Sequence, residues 1–390
     1  MALRIAFSGF IALVVAMGIG RFAFTPQVPL MLAEGQFSLT GAGIVAAFNY
    51  LGYLCGSYDA MRASRHVEYR LWGGILGAVL LTLLSAVVSG IYWHSLIRFA
   101  IGWASGWGLV MIAAWTNERL ITLGKPNLAA AVFAGPGVGI FLSGMLAVMF
   151  HSLGWNAQMA WFGYGSVALI LVACVAVNFP RKGELHRGDA PAQPALVMTR
   201  PLKRLVISYS LAGFGYILPA TFLSQMAAQR FPDSLFAQFV WPVFGAASVV
   251  GIVIGIMTRH YFSTPTPVRL AIALWLQALG VLCAELIPGI SGLVMGAILV
   301  GGGFLCVVQL SLQYGRELAP NYARYMAGLL TTGYAVGQLV GPMLSALSTA
   351  LTHRLDPALY IAAVGLLVAG YLVWPQREKR RLKRLSASDI

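Results

Sequence analysis

Two arginines, Arg21 and Arg98, stand inside long apolar blocks of this 390-residue chain. A guanidinium removed from water can grip a carboxylate or phosphate through two parallel hydrogen bonds, or it can be held by backbone carbonyls. Arg21 lies about eleven residues from the far end of its block, roughly 16 Å deep at 1.5 Å per helical residue. That depth is too great for the side chain to reach the surface, and an ionisable group so placed is by default a functional candidate. Two readings stay open for it: a ligand anion completes it, or it bonds carbonyls freed near Pro26. Arg98 is only about five residues into its block and could stretch to the interface. Acidic partners are scarce: Glu34 is thirteen residues beyond Arg21 in the same block, and Asp59, Glu118 and Glu285 lie at block ends.

No set of residues suits bond-making chemistry. There is no paired-carboxylate cluster, no His-x-x-x-His and no nucleotide-binding Gly-x-x-x-x-Gly-Lys-Ser/Thr. His66, His94, His151, His186, His260 and His353 all fall in loops or at block ends. Cys55, Cys174, Cys283 and Cys306 lie within apolar blocks without metal-ligand spacing, as packing residues would. The sequence therefore points away from an enzyme, a metal site or a cofactor, and towards recognition.

The elements that must position these residues follow from composition. The chain is 59% hydrophobic and 10% charged, against about 25% charged residues in soluble domains. About 20 apolar residues in a helix cross a bilayer, and the candidate spans are 6–32, 41–60, 71–91, 94–116, 127–150, 158–179, 203–228, 237–257, 267–287, 290–313, 323–350 and 357–374. Lipid offers the backbone no hydrogen-bond partner, so these are expected as helices; the short alternating segments of a membrane barrel are absent. The apolar run from the N-terminus continues through Met31, too long for a secretory signal, and reads as a retained first span.

The basic residues give the direction. Of 26 Lys and Arg, all but four fall on one side if the spans alternate; Arg230 and Arg354 fall on the other, and Arg21 and Arg98 lie within spans. Basic loops are retained in the cytoplasm, so both termini are expected there, in a bacterial inner membrane. The net charge of +14 is spread over every inner loop and the tail, which excludes nucleic acid as a partner and names the lipid bilayer.

The stretch Pro180 to Lys203 is the longest polar one and joins six spans to six. The organisation read from this is a six-helix half over 1–179, a linker over 180–202, a second half over 203–374 and a basic tail over 375–390. The halves look like copies. A shift of 195 lays Gly18-Ile19-Gly20-Arg21 on Gly213-Phe214-Gly215-Tyr216, Gly56 on Gly251 and Gly106 on Gly301; a shift of 198 lays Gly135 and Gly139 on Gly333 and Gly337. Both halves start inside, so the repeat is parallel.

These features carry a resemblance. The loop Gly56-Ser57-Tyr58-Asp59-Ala60-Met61-Arg62-Ala63-Ser64-Arg65, the element Arg98-x-x-x-Gly102 with Gly106, and Gly135-Pro136-Gly137-Val138-Gly139 resemble motifs of major facilitator superfamily transporters. The first span, Met17-Gly18-Ile19-Gly20-Arg21-Phe22-Ala23-Phe24-Thr25-Pro26, resembles the YbfB/YjiJ-type branch. The resemblance implies an all-α membrane protein of twelve helices in two pseudo-symmetric halves. It implies transport of a small-molecule substrate by alternating access, with protons as the coupling ion and a monomer as the unit. The absence of a deep carboxylate weakens proton coupling, and a facilitator or a receptor built on the same fold is the alternative. The loop implies a cytoplasmic latch in which Asp59, at a helix C-terminus, takes Arg62, Arg65 or another helix's N-terminus as partner. Arg98 is implied in coupling or gating. Gly102 and Gly106 permit close helix contact. Gly135, Pro136 and Gly139 on the fifth span, and Gly333, Gly337 and Gly341 on the eleventh, are expected where the halves meet.

Polar residues within spans cost free energy if they face lipid. Asn49, Gln225, Gln309 and Gln338 are therefore expected to line a cavity with Arg21, together with Tyr216, its counterpart in the repeat.

Overall fold

The computed structural model describes residues 1–63, 65–125, 128–181, 183–185, 196–261 and 264–375. Ser64, most of the linker's centre and the basic tail from Gln376 lie outside the described residues, and with them Lys182, Arg187 and the tail's arginines and lysines. Twelve helices among the described residues are long and apolar enough to cross a membrane. They are α1 (Ala2–Ala33), α2 (Leu39–Arg62), α3 (Val67–Leu84), α4 (Ile91–Thr122), α5 (Gly135–Ser152), α6 (Ala157–Asn178), α7 (Arg200–Arg230), α8 (Leu235–Gly255), α9 (Thr266–Leu286), α10 (Ile290–Leu318), α11 (Tyr325–Thr352) and α12 (Asp356–Val373).

Helices α1–α6 pack mainly on one another, and α7–α12 do the same. The two groups meet along two seams, α2 against α11 and α5 against α8, with the second part of α1 against α7. The seams exchange under the repeat, second helix against fifth in both cases, which is the signature of a two-fold relation between parallel copies.

Glycine sets the distances. Within each group the second and fourth helices touch backbone to backbone: a side chain at Gly56 would strike the Trp103 backbone, and one at Gly251 the Gly302 backbone. Gly102 and Gly106 meet Asn49, Tyr53 and Ser57 of α2, and Gly301 meets Phe244 of α8. Without strong hydrophobic drive between helices in lipid, this close approach supplies the packing energy.

The glycines of α5 and α11 have a different role from the one expected. Both helices do border the other group, but Gly135 and Gly139 face α1, against Phe10, Leu13 and Gly18, and Gly333, Gly337 and Gly341 face α7, against Ser210, Phe214 and Ile217. Pro136 stands in the first turn of α5, where its missing N–H is harmless. The helix periodicity explains the correction: the seam-facing positions are offset from these, at Gly137 and Gly144, which meet Ser248 and Pro242 of α8.

Candidate functional site: a polar relay between the halves

The site begins with a break in α1. Residues Val14–Ile19 form a π-helical turn, with Gly20 N–H bonded to the Val15 carbonyl at 2.8 Å and Phe22 N–H to the Met17 carbonyl at 3.1 Å. Regular helix resumes at Phe24. Pro26 has no N–H for the Phe22 carbonyl, which accepts from Thr25 instead at 3.2 Å. Such π-turns are often found at functional positions. Here the break carries the Gly18-Ile19-Gly20-Arg21 segment.

Arg98 props this break. It is 0% exposed, and its Nη1 donates to the Gly20 carbonyl at 3.1 Å. Nη2 lies 3.4 Å from Ser85 Oγ, and the guanidinium sits 4.5 Å from the Trp161 ring centre and 5.6 Å from that of Phe24. The stretch to the interface that its sequence position allows does not occur. An unwound backbone in an apolar bundle leaves a carbonyl to be satisfied, and the buried guanidinium takes it. So a carbonyl freed near Pro26 is bonded, but by Arg98 and not by Arg21.

Arg21 faces the opposite half. It is 4% exposed, and its Nη2 donates to Gln338 Oε1 of α11 at 2.8 Å. Gln338 Nε2 in turn donates to the Tyr216 hydroxyl of α7 at 2.6 Å. Three rings surround the guanidinium, Tyr53 at 3.9 Å, Tyr50 at 4.7 Å and Phe22 at 5.2 Å. Each such contact stabilises a desolvated cation by about 0.5–2 kcal/mol. Arg21 Nε has no partner, and among the described residues no acidic side chain pairs with it. Tyr216 stacks between Phe304 at 4.8 Å and Tyr334 at 5.6 Å, and Phe22 reaches Phe304 at 5.9 Å and Trp241 at 6.4 Å across the seam.

The expected cavity residues thus divide. Arg21, Gln338 and Tyr216 form one relay. Asn49 does not join it: its Nδ2 donates to the Arg98 carbonyl at 2.9 Å, a strut between α2 and α4. Gln309 lies beside Gly255 of α8, and Gln225 is nine residues past Tyr216 on α7, about 13 Å along the axis. Tyr53 and Phe22, which touch Arg21, were not singled out in the sequence. The Tyr50–Tyr53 spacing of three, which places both on one helix face, is the signal for the first.

The loop between α2 and α3 also differs in its pairing. Asp59 accepts from Arg70 Nε at 2.8 Å and Nη2 at 3.3 Å, and from Trp107 Nε1 at 2.7 Å. Arg62 instead bonds the Tyr58 hydroxyl one turn back at 2.6 Å, and Arg65 contributes its carbonyl to Arg70 Nη1 at 2.8 Å. Arg70 stands in the first turn of α3 and reaches back to Asp59 near the end of α2, whereas Arg62 is taken up by Tyr58 of its own helix. The cluster ties α2, α3 and α4 of one half together. An open groove lined by Gly73, Gly77, Phe99, Trp103 and Trp107 of α3 and α4 is apolar and includes no residue of the relay.

The two groups also touch at the seam end that carries Thr40 and Thr349. Thr40 Oγ1 and Thr349 Oγ1 are 2.9 Å apart, Thr25 Oγ1 donates to the Ala220 carbonyl at 2.8 Å, and Gly43 lies against Ser345 and Ala346.

Residues 13–374 match the family described as "Uncharacterised MFS-type transporter YbfB". The chain belongs to this family of major facilitator transporters. Among solved structures it is similar to the nucleoside transporter NupG in its D323A form, with 15% identity, 95% of this chain and 98% of that chain covered, and a TM-score of 0.70. It is also similar to a bacterial homologue of the human lysosomal transporter Spinster in an inward-facing and occupied conformation, with 12% identity, 95% of each chain covered and a TM-score of 0.71. At these identities the likeness speaks to fold alone. No curated protein matches the sequence. The YbfB-type chain is therefore a multi-pass membrane transporter and not an enzyme, and its substrate is a small molecule.

Proposed function

We propose that this protein is a secondary transporter of the bacterial inner membrane that moves a small organic anion by alternating access. The halves 1–179 and 203–374 rock about the Arg21–Gln338–Tyr216 relay, the linker 180–202 joins them, and both termini are cytoplasmic. The observation that carries the reading is a buried guanidinium at the seam with no carboxylate beside it. A charge so placed is costly to bury, and a ligand anion offsets that cost. The α2–α11 seam is in contact at both ends, Thr40 with Thr349 and Met61 with Gly328, so alternating access requires each end to part in turn. Described acidic residues lie at helix ends or in loops, which favours exchange or facilitated movement over proton coupling through a buried carboxyl group.

The test compares cells expressing the wild-type chain, Arg21→Ala or an empty vector, with mass spectrometry of cells and medium. Metabolite changes that appear with the wild type and vanish with Arg21→Ala are expected. Equal changes in both, at equal membrane insertion, would remove Arg21 from the site.

A further inference from the structure

The chain contains its own example of a satisfied guanidinium. Arg70 holds Asp59 side-on: Nε takes one carboxylate oxygen and Nη2 the other. Arg21 presents the same pair of donors, half filled. Its Nη2 bonds the single oxygen of Gln338, and its Nε is buried without a partner. An amide offers one acceptor where a carboxylate offers two. Resting on the reading of Arg21 as the substrate site, we propose that the transported substrate is a monocarboxylate, bound side-on by Arg21 Nε and Nη2. Gln338 is the positioning residue that occupies this fork until the carboxylate displaces it.

Three observations support the class. The other buried guanidinium, that of Arg98, has its donors turned to the Gly20 carbonyl and Ser85, so the one open fork in the centre is that of Arg21. Its two donors match the two oxygens of one carboxylate. The Tyr53 and Tyr50 ring centres lie 3.9 Å and 4.7 Å from the guanidinium carbon, contacts that stabilise the cation and leave Nε without an acceptor. The remaining partner of Gln338 is a neutral hydroxyl, Tyr216, which can turn to donate to a carboxylate oxygen.

The displacement has a mechanical consequence. Arg21 belongs to the first half and Gln338 to the second, so their bond is a cross-half tether. A carboxylate that takes the fork cuts this tether and substitutes itself, which links occupancy to movement of the halves.

The inference is tested on the purified full chain by thermal unfolding. Gln338→Glu supplies the second oxygen in place and is expected to raise Tm by about 3 °C. The gain should disappear in an Arg21→Lys background, which keeps the charge and loses the fork. Gln338→Ala empties the fork, and its Tm should rise in millimolar sodium acetate relative to equal sodium chloride, again only with Arg21 intact. No gain from Gln338→Glu, a gain that survives Arg21→Lys, or no acetate-specific rise in Gln338→Ala would each overturn the assignment; should Gln338→Glu fail to fold, the acetate experiment decides. These measurements do not involve transport. Their failure alongside Arg21-dependent transport would remove only the carboxylate, whereas transport that ignores Arg21 would remove the site itself.

Discussion

Helices α1 and α7 are copies of one motif that came to different ends. In α1 the Gly-x-Gly-Arg segment is unwound through a π-turn, and in α7 the matching Gly-x-Gly-Tyr segment runs inside one uninterrupted helix, Arg200–Arg230, despite Pro219. The difference has an identifiable support. Arg98 bonds the loosened Gly20 carbonyl, and the repeat position of Arg98, at the shift that aligns Gly106 with Gly301, is Leu293, which is buried and has no donor to offer. One half can keep an opened backbone and a cation in its centre, and the other has neither. The comparison teaches that two near-identical scaffolds make a polar site through asymmetry in a few residues, while the glycine contacts that set helix spacing stay shared.

Breaking the cationic side of this comparison should have the largest effect. Arg21→Ala is expected to reduce transport about 100-fold, since it removes charge-assisted hydrogen bonds, with insertion unchanged; substrate uptake or efflux in cells at matched expression checks it. Removing the prop comes next. Arg98→Ala should destabilise the fold by about 3 kcal/mol, from the cavity beside Trp161 and Phe24 and the unpaired carbonyl, and Leu293→Ala should cost less because no backbone group depends on it. Unfolding in detergent measures both.

The shared feature offers a sharper test. Gly139→Val drives a side chain into Gly18 of α1, and Gly337→Val drives one into Ser210 and Phe214 of α7. Each should cost at least about 2 kcal/mol, and similar losses in the two would uphold the claim that spacing is common to both halves. Asp59→Asn removes a part-exposed pair with Arg70 and should lower stability by under about 1 kcal/mol. Tyr216→Phe, the neutral counterpart of the Arg21 change, removes one acceptor from Gln338 and should weaken substrate affinity about fivefold. A loss as large as that from Arg21→Ala would mean that the two helices contribute alike.

Much of this was legible in order and little of it in pairing. Each of the twelve spans proposed from hydropathy overlaps one of the helices in the structure. Gly56 and Gly251, matched only by a shift of 195, make corresponding contacts in space. Arg21 and Gln338 were identifiable as polar residues that lipid would not accept, and Tyr216 as the counterpart of Arg21 in the repeat. Asn49 met the same criterion of polarity and bonds the Arg98 carbonyl instead, while Gln309 Oε1 is buried beside Gly255 without a hydrogen-bond partner; polarity within a span does not say which contacts it makes. Counting residues left Arg98 able to reach the interface, beside the coupling or gating role that the resemblance implied, but burial depends on the neighbours that enclose a residue. Here those are Trp161 of α6, Ser85 in the turn after α3 and the opened strand of α1.

The sequence alone determined the class of molecule, its number of crossings and its doubled plan, since hydropathy, helix length and charge bias act along the chain and need no knowledge of contacts. Only the tertiary structure decided which buried arginine faces the opposite half and which is spent on a carbonyl. Hydrogen bonds of about 3 Å between residues as far apart as Arg21 and Gln338 are fixed by helix packing and rotation, which no local pattern encodes.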